Sequence, residues 1–159
     1  MRVARPEEFA VIGRLCEEAY VGGGVIPPDH TYVPQLREVA GRARDAELLV
    51  AVDPDDEVLG TVTVAAYGSP AAEVARAGEL EFRVLATAPA GRGRGVGELL
   101  IGAVVERARE LGLSRVVISV ADDNATAIRL YQRLGFERLP ERDWLPVPDV
   151  QLLGYFLAV

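Results

Sequence analysis

Apolar residues along the chain alternate between the spacing of a helix and the spacing of a strand. Residues 6–21 place apolar side chains at helical intervals after a proline and two acids, which favour a first helical turn. Residues 79–87 instead alternate apolar and polar positions, as a half-buried strand does. Along the whole chain these patterns predict the order β-α-α-β-β-β-α-β-α-β-β. The predicted elements are residues 2–5, 6–21, 33–44, 48–52, 58–66, 79–87, 96–111, 114–120, 124–134, 136–139 and 150–158.

This order predicts an α/β fold with a mixed central sheet flanked by helices. The turn Asp53-Pro54-Asp55-Asp56 separates two apolar strands, which is a hairpin signal. Residues 114–120 are apolar and rich in β-branched side chains, which favours a central strand. No repeat, linker or low-complexity segment interrupts the chain, so residues 1–159 are predicted to form one domain.

The alternation in residues 79–87 also assigns side chains to the two faces of that strand. Glu79, Glu81 and Arg83 are predicted to share one face because they lie two positions apart. The even positions are apolar and are predicted to continue as the buried face; they are Leu80, Phe82, Val84 and Ala86.

The segment between this strand and the helix that follows carries the clearest chemistry. Its sequence is Ala-Pro-Ala-Gly-Arg-Gly-Arg-Gly-Val-Gly, residues 88–97. A helix start offers unpaired N–H groups and a partial positive charge, which suit a phosphate or pyrophosphate. Glycines let the backbone approach such a ligand closely, and arginines can contact its oxygens. The residues in these roles are Gly93, Gly95, Gly97, Arg92 and Arg94.

The spacing of the glycines decides which known phosphate-binding motif this turn matches. A P-loop requires Gly-Lys-Ser/Thr, and this turn has no lysine; a dinucleotide motif requires G-x-G-x-x-G, which also fails here. The pattern present, R-x-x-G-x-G over residues 92–97, resembles the acetyl-CoA-binding signature of the GCN5-related N-acetyltransferase (GNAT) superfamily. Residues 124–136 resemble a second motif of that superfamily, N-x-x-A-x-x-x-Y-x-x-x-G-F.

The resemblance implies a mixed, mostly antiparallel sheet in which two central strands are splayed apart to admit acetyl-CoA. Residues 79–87 and 114–120 match those two strands. In the superfamily, the loop amides hold the CoA pyrophosphate, the preceding strand holds the pantetheine arm and polarises the thioester, and a helix-start asparagine bonds the pantetheine. The residues to which the resemblance assigns cofactor binding are Leu85, Ala86, Thr87, Arg92, Gly93, Arg94, Gly95, Val96, Gly97, Asn124 and Ala127.

The resemblance also assigns two catalytic side chains. Tyr131 occupies the position of the tyrosine that protonates the CoA thiolate, and a phenol with a pKa of about 10 suits that step. Glu81 lies four residues before Leu85, where some members carry a glutamate base. Many members instead remove the amine proton through ordered water, and Arg83 on the same face can pair with Glu81 and weaken it as a base. Both routes stay open at this point.

Composition narrows the class of protein. The 159 residues include 50% hydrophobic side chains and carry a net charge of −7, which favours a globular protein and argues against a nucleic-acid partner. No apolar run reaches membrane-spanning length and no signal peptide is recognised, so a cytoplasmic protein is expected. The single cysteine excludes an internal disulfide, and the single histidine predicts no metal site.

The leading hypothesis is therefore transfer of acetyl from acetyl-CoA to a primary amine, by direct attack in a ternary complex. A small-molecule amine is expected, with a protein or peptide amine as an alternative. A different class, a non-catalytic acyl-CoA sensor, is disfavoured because a sensor has no need of Tyr131. Homodimers are common in the superfamily, although no feature of the sequence establishes one.

Overall fold

The computed structural model describes residues 1–159, and eight strands form one sheet. The strands are β1 (Arg2–Val3), β2 (Glu47–Val52), β3 (Val58–Ala66), β4 (Glu79–Thr87), β5 (Arg115–Ala121), β6 (Glu137–Arg138), β7 (Trp144–Val147) and β8 (Val150–Ala158). Their order across the sheet is β1-β2-β3-β4-β5-β8-β6, with β7 paired to β8. Every pairing is antiparallel except that of β4 with β5, so the predicted mixed, mostly antiparallel sheet is confirmed.

Helices cover both faces of this sheet. They are α1 (Phe9–Glu17), α2 (Val33–Arg37), α3 (Val39–Asp45), α4 (Val96–Glu110) and α5 (Ala125–Arg133). A 3-10 turn (Pro6–Glu8) leads into α1, and a π turn (Glu18–Gly22) continues it to the glycines that end the predicted helix. None of the helices is long and apolar enough to cross a membrane.

Two apolar cores lie on opposite faces of the sheet. The larger one packs α4 and α5 against residues such as Phe82 and Val116, and includes Leu100 and Tyr131. The smaller one packs α1, α2 and α3 against the other face. We call these the α4–α5 face and the α1–α3 face.

The two central strands separate along their length. The parallel ladder between β4 and β5 contains only three residue pairs, and the last of them is Glu81 with Val117. Beyond that pair the two strands no longer face each other as partners, so the backbone edge of residues 83–87 has no sheet partner on the β5 side. The predicted splay of these strands is confirmed, and we refer to the opening as the sheet gap.

A β-bulge changes which face the later residues of β4 occupy. Thr63 pairs with Arg83 and Thr61 with Ala86, so one residue of β3 faces two of β4. At the bulge Val84 has φ +51°, a conformation that strains a β-branched side chain. Leu80 and Phe82 therefore belong to the α4–α5 core, whereas Val84 and Ala86 belong to the α1–α3 core. The prediction that all four share one face was wrong, because the extra residue shifts the period of two by one position.

Two other elements differ from the sequence prediction. The helix predicted over residues 33–44 is two helices that meet at Glu38, whose side chain caps α3 by accepting a hydrogen bond from the Gly41 amide at 2.9 Å. Strand β7 was not predicted, because prolines argue against a strand in sequence, and Pro146 lies within this short edge strand and Pro148 just after it.

Candidate functional site

The turn before α4 presents a row of unpaired backbone N–H groups. Gly93 and Gly95 have φ of +70° and +74°, and an added Cβ at either position would meet open space. This left-handed geometry, which favours glycine, turns successive amides toward the same side. Five amides donate to no group in the protein; they belong to Gly93, Gly95, Val96, Gly97 and Glu98. Together with the dipole of α4, they form an anion-binding concavity.

Two arginines add positive charge beside these amides. Arg92 and Arg94 are exposed, and neither forms an ion pair with a carboxylate. The Arg94 side chain donates only to the Ala90 carbonyl, at 3.2 Å, and the Arg92 side chain makes no hydrogen bond. The acid of the first helical turn, Glu98, is paired with Arg133, so its charge is offset. The turn therefore has the donors and the net charge that a pyrophosphate requires.

The strand that leads to this turn borders the sheet gap. Leu85 packs against the α4–α5 core, Ala86 is buried on the other face, and Thr87 is partly exposed. The backbone of these residues forms no sheet hydrogen bonds on the side toward β5, because the β4–β5 ladder ends at Glu81. An extended chain with amide groups could therefore add to this edge by backbone hydrogen bonds.

Tyr131 of α5 packs against β4 at Phe82, the residue that follows the last β4–β5 pair. Its ring is 5% exposed and lies 5.7 Å, centroid to centroid, from both Phe82 and Phe136. Its hydroxyl hydrogen-bonds to no protein group. Burial raises the pKa of Tyr131, so the phenol stays protonated at neutral pH and has a proton to donate.

Asn124 and Ala127 are brought together at the start of α5. The Asn124 side-chain oxygen accepts from the Ala127 amide at 3.2 Å and so caps the helix. The Ala127 amide is thereby occupied, whereas the NH₂ group of Asn124 has no partner in the protein. Of these two predicted cofactor contacts, Asn124 keeps a polar group with which to make one.

Glu81 is placed beside the gap but is enclosed. The residue is 1% exposed, and its Oε2 accepts hydrogen bonds from three successive amides, those of Glu73, Val74 and Ala75, at 2.9, 2.8 and 2.9 Å. Its Oε1 lies 4.0 Å from Nε of Arg83. The carboxylate thus anchors the β3–β4 loop (residues 67–78), and its predicted role as a base stays a prediction.

Sequence reasoning missed the second anchor of this loop. Glu79, 5% exposed, accepts from Arg142 at 2.8 and 3.1 Å and from the Arg76 amide at 2.8 Å. Arg142 also donates to the Val74 carbonyl at 2.7 Å. The loop and residues 141–144 line an open cavity of about 340 Å³. The partners are 63 residues apart in sequence, so no local pattern signals their contact.

Comparison with known proteins agrees with this geometry. Residues 14–136 match the profile of the acetyltransferase (GNAT) family. The mycothiol acetyltransferase of Renibacterium salmoninarum is 37% identical over 93 residues, which are 58% of this chain and 27% of that protein. The L-methionine sulfoximine/L-methionine sulfone acetyltransferase of Pseudomonas aeruginosa is 40% identical over 97 residues, 60% of this chain and 54% of that protein. The chain thus spans less than two thirds of either relative.

A solved structure shows the same fold over the whole chain. The acetyltransferase yncA of Salmonella typhimurium, solved with its cofactor acetyl-CoA, superposes with a TM-score of 0.67. The match covers 99% of this chain and 91% of that one at 22% identity. An identity at this level supports the fold alone.

Proposed function

Since this chain belongs to the acetyltransferase (GNAT) family, we propose that it transfers the acetyl group of acetyl-CoA to the primary amine of a small molecule. Residues 1–159 would act as a single N-acetyltransferase domain. The observation that carries the proposal is the juxtaposition of three features. Five unpaired amides and two unpaired arginines follow β4, the strand edge without a partner belongs to β4, and Tyr131, whose hydroxyl is free, packs its ring against Phe82 of β4.

The residues present fit acetyl-CoA. Amides of residues 93–98, with Arg92 and Arg94, would hold the pyrophosphate. The backbone of Leu85–Thr87 would bond the pantetheine arm, and the NH₂ group of Asn124 would reach it from α5. The bound molecule supplies a thioester, which is an activated acyl donor. The yncA structure, solved with acetyl-CoA, supports this assignment through its shared fold.

Transfer requires a proton to leave the amine and a proton to reach the sulfur. Tyr131 would donate its phenolic proton to the departing thiolate, since the hydroxyl has no competing partner and stays protonated. An amide of β4 near Leu85 would polarise the thioester carbonyl. The amine proton would leave to Glu81 or to an ordered water, and the enclosure of Glu81 favours the water route.

The acceptor is proposed to be a small molecule for two reasons. Both relatives described above are named for small-molecule acetylation, one for mycothiol and one for methionine sulfoximine and sulfone. In addition, the β3–β4 loop and residues 141–144 line an open cavity of about 340 Å³, a volume that suits a compact ligand.

The test is CoA thiol release from acetyl-CoA, measured against a panel of small amines, amino acids and peptides, with Tyr131→Phe beside the wild type. Amine-dependent release that falls about 10²-fold in the mutant is expected. Tight acetyl-CoA binding with no release for any amine would favour the sensor alternative. Absence of acetyl-CoA binding would contradict the assignment. The chain has no lysine, so self-acetylation could occur only at its N-terminal amine and is readily counted.

A further inference from the structure

Two carboxylates beside the sheet gap have opposite environments. Glu81 is enclosed, and one of its oxygens is saturated by three amides. Glu73, on the β3–β4 loop, has a side chain that is 33% exposed. One Glu73 oxygen lies 2.6 Å from Arg83, and the other has no partner in the protein. Each therefore keeps one carboxylate oxygen without a hydrogen bond, and the Glu73 side chain is much the more exposed of the two.

The position of Glu73 follows from that of Arg83. Arg83 lies two residues beyond Glu81, the last residue of β4 that pairs with β5, and points to the same α1–α3 face. Its guanidinium also donates to the Ala71 carbonyl at 2.8 Å, which fixes its orientation. Since Glu73 is paired to this arginine, its carboxylate lies beside a residue of β4 just beyond the end of the β4–β5 ladder. Glu73 also lines the cavity of about 340 Å³.

Two further phenols lie on the α1–α3 face. The rings of Tyr20 and Tyr32 lie 6.2 Å apart. Burial raises the pKa of Tyr20, and the phenols of Tyr32 and Tyr131 add to the rise. Burial also raises the pKa of Tyr32, on which Arg83 and Glu73 act in opposite senses.

We infer that Glu73 is the carboxylate that receives the proton of the acceptor ammonium, directly or through one water, and that Glu81 is a positioning residue that holds it there. The inference rests on the proposed function. The ammonium loses one proton to Glu73, and the amine nitrogen then bonds to the thioester carbonyl carbon. The C–S bond breaks, the thiolate takes the Tyr131 proton, and the second nitrogen proton leaves to solvent. The products are an amide and free CoA.

The environment of Glu73 suits a proton acceptor. Burial raises its pKa, the charge of Arg83 opposes that rise, and the nearby Glu81 adds to it. A carboxylate with a raised pKa is a stronger base at neutral pH. The titratable and charged groups that face it are Arg83 and Glu81 of β4, Tyr32 at the start of α2, and Arg76, Glu141, Arg142 and Asp143 around the cavity.

The test compares Glu73→Gln, Glu81→Gln and the control Glu7→Gln, an exposed acid with no ion pair, in steady-state kinetics between about pH 6 and 9 with an amine that the wild type acetylates. We expect Glu73→Gln to lower kcat about 10²-fold, with the KM for acetyl-CoA and the melting temperature unchanged. Its residual rate should rise with pH, because the amine must then lose its proton to solvent. We expect Glu81→Gln to lower the melting temperature while leaving the form of the pH profile unchanged.

Three results would overturn the inference in distinguishable ways. Wild-type activity in Glu73→Gln would exclude Glu73 as the proton acceptor. Loss of activity in Glu81→Gln with an unchanged melting temperature and a shifted pH profile would assign the base to Glu81 instead. Absence of transfer by the wild type to any amine would overturn the proposed function and this inference with it.

Discussion

At the scale of single residues, hydrogen-bond partners separate structural from functional side chains. The Arg92 side chain forms no hydrogen bond, the Tyr131 hydroxyl is unpaired, and Oε2 of Glu81 accepts from three loop amides. A polar group that the fold itself does not use is available to a ligand, whereas one that the fold occupies mainly stabilises the fold. Whether a polar side chain has a hydrogen-bond partner in the protein is therefore more informative here than its residue type.

Arg92→Ala tests whether an unpaired side chain serves ligand binding, because this side chain has no partner to lose within the protein. We expect an unchanged melting temperature and acetyl-CoA binding weakened about tenfold, which is about 1.4 kcal/mol. Isothermal titration calorimetry at two salt concentrations measures it, with Arg14→Ala as the control, since Arg14 is exposed on α1 and also unpaired. Equal affinities for the two variants would exclude a role for Arg92 in binding.

At the scale of elements, β4 performs two tasks because a bulge divides it. Its first half is paired on both sides and anchors the β3–β4 loop through Glu79 and Glu81. Its second half, beyond Val84, is paired only with β3 and leaves an edge free for the cofactor. The bulge also moves Val84 and Ala86 into the α1–α3 core, which fixes the strand while its other edge stays unpaired.

The Glu79–Arg142 pair joins β4 to residues 140–142 and is almost fully buried. We expect Arg142→Ala to lower the free energy of unfolding by about 3 kcal/mol, because the buried Glu79 carboxylate then keeps only the Arg76 amide and Arg115, 3.8 Å away. Arg109→Ala is the control, since its pair with Glu106 is exposed and should be worth less than about 1 kcal/mol. Urea unfolding followed by circular dichroism measures both, and equal losses would contradict this account.

The same pair predicts how stability depends on pH. Burial acts to raise the pKa of Glu79, but hydrogen bonds from Arg142 and the Arg76 amide outweigh it and hold the pKa below its usual range. A carboxyl with a lowered folded-state pKa contributes stability above its unfolded pKa of about 4.3, and this is lost as pH falls through the folded value. In Arg142→Ala the Glu79 carboxyl should bind a proton more readily. Its destabilisation relative to wild type should therefore be smaller at pH 4.5 than at pH 7.

At the scale of the whole molecule, the sheet separates the anion-binding turn from the carboxylates of the β3–β4 loop. The anion-binding turn and Tyr131 lie with α4 and α5, whereas Glu73 and Arg83 lie on the opposite face. The gap between β4 and β5 is where the two sides meet. Reactants brought from opposite faces would meet there in a fixed orientation, which is the main requirement for transfer between two bound molecules.

Hydrogen exchange tests this arrangement. Acetyl-CoA should slow exchange of the amides in residues 83–87 and 93–98, since these groups have no acceptors on that side in the protein alone. The β2–β3 hairpin should change little beyond the general stabilisation of about 2.7 kcal/mol expected at a hundredfold excess over Kd. Protection confined to the β3–β4 loop and residues 141–144 would place the cofactor on the wrong face.

Much of the architecture was predictable because it depends on local patterns. The hairpin around residues 53–56, the strand–glycine turn–helix unit and the helix ended by Gly135 all appear as predicted. The roles that the motifs assign to Tyr131 and to the glycine turn stay predictions. The split at Glu38 and strand β7 were missed, since a side-chain cap and an edge pairing with β8 decided them.

The sequence by itself determined the family, the order of the elements and the anion-binding turn, because glycine conformation, helix dipole and apolar periodicity act over a few residues. Only the tertiary structure decided the roles of the carboxylates. Glu79 pairs with Arg142, which is 63 residues away, and Glu81 is enclosed by a loop that folds back over it. The bulge at Val84 likewise depends on pairing with β3. Contacts between distant segments set burial and partners, and these decide which acids are anchors and which one a substrate can reach.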